Sequence, residues 1–287
     1  DYDSLKAINP KLIYCSVTGY GQTGPYKDRA GHDINYLATS GLASYTGTKN
    51  SGPLPIGFQI ADIAGGSMHA ITGILAAVVY RNESGQGQHI DISMTDAAFS
   101  LNAMAGAESL GSQKEAMPES MVLNGGSFYN HYQTKDGKYF SVGGLEPPFM
   151  KQLCQEIGRP ELFKNGLDYS AESQAPLIEA LKTAFKSQDF AYWQKRFMEI
   201  DACVEPTLSI LEAAKNEQLV ARNMTIDVAV NEHRSVKQIA CPIKFSAAPA
   251  HYKFAGSPLG QHSVEVLKEH DFSEQDITSL LESGVIK

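Results

Sequence analysis

Short apolar runs and two hydrophobic periods organise the first hundred residues. Residues 11–17 are mostly apolar, too brief for a helix, and predict a buried strand. A glycine-rich loop follows over 18–25, and 31–37 opens a short helix. Ile60-Ala61-Asp62 leads into a longer helix, on which Met68, Ile71, Leu75 and Val78 recur at steps of three and four. Gly85 is placed to end it in a left-handed turn. Residues 88–93 then set Ile90 and Ile92 between polar neighbours, the period of a strand.

The texture changes further on. Residues 94–121 read as a partly helical connector, and 129–144 as a hairpin turning at Asp136-Gly137. Helices are predicted around 149–157, 177–185 and 190–200, and strands over 224–230 and 238–245. Ser273 to Asp276 has the form of a capping box, and Gly284 closes the last helix. Strands and helices are mixed throughout, so the class is α/β or α+β.

Composition narrows the function. The chain has 287 residues, 43% hydrophobic and 20% charged, as in an ordinary globular protein. A net charge of −8 opposes general nucleic-acid binding, which needs a basic footprint. Cys15, Cys154, Cys203 and Cys241 are widely spaced and form no C-x-x-C pair, which points to reduced thiols and away from zinc or any other metal site. The longest apolar run, 70–80, is too short to span a bilayer, and no signal peptide is visible. The first residue is Asp1, not Met, so an upstream segment is expected to have been removed. The C-terminal Gly284-Val285-Ile286-Lys287 is not a peroxisomal signal, which makes the cytoplasm the default location.

Few residues could carry chemistry. His32 lies between Gly31 and Asp33 at a loop-to-helix junction, with Asn35 and Tyr36 nearby; a lone histidine there is either structural or an acid/base group. Asp62 stands at a helix start followed by Gly65-Gly66. It is either an N-cap or a reactive carboxylate beside free backbone N–H groups. Glu146, after Gly143-Gly144 and before Pro147-Pro148, is a further cap candidate, while His69, His89 and His131 show no functional spacing. Gly85-Gln86-Gly87 is a turn rather than a phosphate loop, and G-x-S-x-G, H-E-x-x-H and Walker A patterns are absent.

The stretches Gly31-His32-Asp33-Ile34-Asn35-Tyr36-Leu37-Ala38, 61–75 and 85–94 together resemble the type III CoA-transferase superfamily (CaiB/BaiF). Leu123-Asn124-Gly125-Gly126, Gly143-Gly144-Leu145-Glu146-Pro147 and Pro258-Leu259-Gly260-Gln261-His262 are similar to its α-methylacyl-CoA racemase branch. The resemblance implies a Rossmann-like large domain (incomplete here), a small α+β domain and an interlocked homodimer with its site between subunits. It divides the chain into large domain 1–92, linker 93–126, small domain 127–222, linker 223–237 and a return segment 238–287. The family's N-terminal strands and much of its CoA contact would lie outside this chain.

By the same resemblance His32 and Asp62 are the two acid/base groups, and Glu146 orients the histidine. Gly31, Asp33, Asn35 and Tyr36 would line the acyl-thioester pocket, and backbone N–H groups at Gly65 and Gly66 would hold the enolate oxygen. The implied activity is epimerisation at the α-carbon of a 2-methylacyl-CoA, with an acyl-CoA thioester as ligand, no cofactor, no nucleic acid and no membrane. CoA transfer through Asp62 as nucleophile is the alternative, and a non-enzymatic CoA-binding role is the third.

Overall fold

The apolar run after Pro10 forms strand β1 (Ile13–Thr18), preceded by helix α1 (Tyr2–Ile8). A computed structural model describes residues 1–287 and divides them into two units, Asp1–Thr207 and Leu208–Lys287. In the first unit β1 pairs in parallel with β2 (Gln88–Ser93), in register from Ile13 opposite Gln88 to Thr18 opposite Ser93.

Parallel neighbours need a long crossover. It contains α2 (Asp33–Thr39), a π-helix over Ala61–Ser67 and, running on from it, α3 (Met68–Ser84), which ends at Gly85 with φ 77°. The π-helix follows from shifted backbone pairing: the Met68 N–H donates to the Ile63 carbonyl, five residues back. Gly73 lets α3 lie close to the sheet; a Cβ there would sit 3.2 Å from Ile90 Cγ2.

The continuous helix over 61–84 is 24 residues, longer than the apolar run suggests, and long and apolar enough to cross a membrane. The expectation that no segment has that length is therefore corrected. Within the unit this helix packs on β1 and β2 as a crossover helix does, through Gly66 against Val17 and Gly73 against Ile90.

After β2, the Ser93 hydroxyl accepts from the Asp96 N–H and starts α4 (Met94–Ser100); α5 (Ala103–Ser112) follows and ends at Gln113 with φ 58°. Tyr36, Leu37, Ala61 and Ala98 form a buried cluster, flanked by Leu42, Ala43, Ile56, Ile60 and Met94. Helices α2 and α4 and the π-helix are thus held on one core.

The rest of the first unit is an antiparallel sheet covered by helices. The hairpin is β3 (Asn130–Gln133) and β4 (Tyr139–Val142), with β5 (Val204–Pro206) on the other side of β4. Helices α6 (Pro147–Glu156), α7 (Phe163–Leu167), α8 (Ala171–Ser187) and α9 (Phe190–Met198) surround Phe128, Phe140, Met150, Leu153, Leu181 and Phe185, all fully buried. Gln174 is buried among them with its amide saturated. Its Oε1 accepts from the Phe128 N–H at 2.9 Å, and its Nε2 donates to the Asn165 and Asp168 carbonyls at 2.9 and 2.8 Å.

The second unit contains α10 (Ile210–Ala213), α11 (Glu217–Ala221), a hairpin of β6 (Thr225–Asn231) and β7 (Arg234–Ile239), then α12 (Ser263–Glu269) and α13 (Glu274–Glu282). The last strand lies earlier than the expected 238–245. Ile239 already pairs with Thr225, the end of β6, and Pro242 has no N–H with which to extend a ladder. Ser273 and Asp276 form the anticipated capping box.

Candidate active site

Two helix starts meet at the site. His32 is the N-cap of α2 in an extended conformation (φ −132°, ψ 174°); its N–H donates to Asn35 Oδ1 at 3.0 Å, and its carbonyl accepts from the Asn35 N–H at 2.8 Å. These bonds fix where α2 begins and leave His32 exposed beside it.

Asp62 is not the cap of its helix. Ile60 already has helical angles, so Asp62 falls inside the first turn. The capping oxygen comes from across the fold: Asp33 Oδ1 accepts from the Ala61 N–H at 2.6 Å and the Asp62 N–H at 3.2 Å. No hydrogen bond engages the half-buried Asp62 carboxylate, while its own carbonyl accepts from the Ser67 hydroxyl at 3.1 Å.

His32, Asp33 and Asp62 line one cleft of about 350 Å³, walled by Ile34, Leu37, Ala43, Leu54, Pro55 and Ile56, with Thr46 and Gln59 as neutral polar groups. No Lys or Arg lines it. An imidazole and a carboxylate facing one apolar-walled cleft can remove and return a proton, or the carboxylate can act as a nucleophile.

The other expected residues lie elsewhere. Asn35 is occupied with the His32 N–H. Tyr36 is buried, its hydroxyl donates to the Gly31 carbonyl, and its ring meets Tyr20 edge-on at 5.3 Å. Burial, then Tyr20 and Asp62, raise its phenol above the ordinary range. Gly31 makes room for that ring, because a Cβ there would stand 2.7 Å from Tyr36 Cε1.

Gly65 and Gly66 are buried against α4 and do not line the cleft: a Cβ on Gly65 would meet the Met94 carbonyl oxygen at 3.3 Å, and one on Gly66 the Met94 Cγ at 3.1 Å. Their lack of side chains allows this close packing. Glu146 occupies the N-cap position of α6 without making a side-chain cap bond and is exposed, off this cleft. It lies near Cys203, whose thiol is pushed up by burial and then by Asp201, Glu146 and Glu205.

His69 Nδ1 lies 2.7 Å from the Ala64 carbonyl oxygen, so the proton resides on Nδ1 and the ring is structural. His89 Nε2 lies 2.9 Å from Ser16 Oγ. No cluster of three His, Cys, Asp or Glu side chains is arranged to hold a metal. The wall at Leu54, Pro55 and Ile56 escaped sequence reasoning, although the Pro53-Leu54-Pro55-Ile56 run shows a rigid apolar segment just ahead of Asp62.

Residues 1–263 match the family described as CoA-transferase family III. The chain belongs to that family. Family III relatives include the mouse (Mus musculus) protein named alpha-methylacyl-CoA racemase, 32% identical over 99% of this chain and 74% of its own length. Also similar is the Agrobacterium fabrum succinate–glutarate CoA-transferase, 31% identical over 97% of this chain and 70% of its own. Among solved structures, a CaiB/BaiF family protein from Brucella suis superposes with a TM-score of 0.78 at 29% identity, covering 94% of this chain and 70% of that one. Members of both activities are thus found at comparable similarity, and both are enzymes acting at CoA thioesters by name.

Proposed function

We propose that this family III member epimerises the α-carbon of an acyl-CoA thioester, with His32 and Asp62 as its two acid/base groups. The observation that carries the reading is their presence on one cleft, the Asp62 carboxylate unengaged by any hydrogen bond. The thioester carbonyl acidifies the α-proton. One group takes that proton, the C–H electrons delocalise into the enolate, and the other group returns a proton to the opposite face. No cofactor takes part. Glu146 of a second copy would orient His32 and stabilise its protonated form, which makes the working protein a homodimer.

CoA transfer is the second reading, favoured by Asp62 alone as a free, half-buried carboxylate able to attack the thioester. Two features support epimerisation instead. Transfer through an aspartate needs no imidazole on the cleft. A dicarboxylate acceptor would also bring a second charge, for which the cleft has no Lys or Arg.

The test uses one enantiomer of a 2-methylacyl-CoA, with conversion followed by chiral chromatography. His32→Ala and Asp62→Asn should each lower interconversion by about a hundredfold or more, the scale of a positioned acid/base group. CoA transfer to a free acid that survives His32→Ala at the full rate, without epimerisation by the unmodified protein, would establish the second reading.

A further inference from the structure

We infer that the Asp33 side chain acts as a positioning group that sets the Asp62 carboxylate against His32. The inference rests on the proton-transfer reading above. Asp33 is covalently next to His32 and is the first residue of α2. Its Oδ1 is shared by the N–H groups of Ala61 and Asp62, 28 and 29 residues further along the chain. One carboxylate oxygen therefore joins the two elements that supply the acid/base pair.

The bond is local in its action. It fixes the backbone of the first π-helical turn at the residue that carries the carboxylate. Ala61 is fully buried against Tyr36, Leu37 and Ala98, so the turn cannot shift to find another cap. Asp62 has no side-chain partner of its own, so its direction depends on this backbone anchor. His32 is held separately by Asn35. Loss of the Asp33 acceptor should therefore disturb Asp62 and spare His32.

That asymmetry gives a readout which general destabilisation would not produce. Each pure enantiomer of a 2-methylacyl-CoA is incubated in deuterated water, and α-deuterium in unreacted substrate is compared with inverted product. For the enantiomer whose proton His32 removes, Asp33→Ala should keep exchange within about threefold and lower inversion by about tenfold, as misplacing one of two reacting groups does. For the other enantiomer both should fall together. Asp33→Asn keeps Oδ1 as an acceptor and should restore the unmodified ratio within about twofold, because both N–H bonds can re-form. Asp33→Glu keeps the charge but moves the oxygen one methylene outward, and should behave as Asp33→Ala; it serves as the test where Asp33→Ala gives no soluble protein.

Exchange and inversion falling in proportion for both enantiomers, or Asp33→Asn behaving as Asp33→Ala, would overturn this assignment alone. An unmodified protein that exchanges no α-proton would overturn the proposed reaction and this assignment with it.

Discussion

At the scale of single residues, the structure separates two carboxylates that both stand at helix starts. The local sequence leaves Asp62 either an N-cap or a reactive carboxylate, and the family resemblance implies a pocket-lining role for Asp33. The structure gives the cap to Asp33 and leaves Asp62 open. No local pattern shows this, since the bond spans 28 residues and depends on how α2 folds back. Gly31 is likewise a matter of space: Gly31→Ala would press its methyl into the Tyr36 ring, 2.7 Å away. We expect that variant to lose about 1–3 kcal/mol of stability, as overpacked cores do, measured by urea unfolding.

Cys154 tests burial at the same scale. Its thiol is fully buried and pushed up to about 11, first by burial and then by Glu161. A raised thiol pKa keeps the group protonated at pH 8, so alkylation of the folded protein should leave Cys154 unmodified. Peptide mass spectrometry should find it labelled only after denaturation, and labelling in the folded state would contradict that placement.

At the scale of elements, periodicity was enough to show the helix carrying Asp62 but not its first turns. The 3-and-4 spacing begins at Met68, which is where α3 begins. The seven residues before it form a π-helix whose wider turn has no hydrophobic signature of its own. The hairpin at Asp136-Gly137 was legible because turn chemistry is local; the early end of β7 is explained by Pro242 and by the length of its partner strand.

Gln174 shows what element packing hides from sequence. A glutamine on a helix reads as exposed, yet this one joins α8 to the backbone of Phe128, Asn165 and Asp168. Gln174→Leu should destabilise by about 1–3 kcal/mol, because it strands a buried N–H and two carbonyls. A chemical-denaturation midpoint unchanged from the unmodified protein would contradict the role.

At the scale of the whole molecule, family membership and the acid/base cleft carry different weight. The family assignment covers residues 1–263 and admits two reaction classes. The choice between them rests on His32, Asp62 and the absence of cations from the cleft. The proposed homodimer belongs to this scale as well: sedimentation equilibrium should return about twice the chain mass, since closed two-fold assemblies are the commonest oligomers. Met68, Ile71, Leu75 and Val79 on α3 are each more than half exposed, an apolar face of the kind that marks interaction surfaces.

The most direct measurement is solvent deuterium at the α-carbon. A single enantiomer of a 2-methylacyl-CoA is incubated with the protein in deuterated water and followed by NMR. Proton transfer through His32 and Asp62 predicts inverted product carrying α-deuterium, with the signal lost in His32→Ala. Retention of the α-proton together with passage of CoA to a free acid would contradict it.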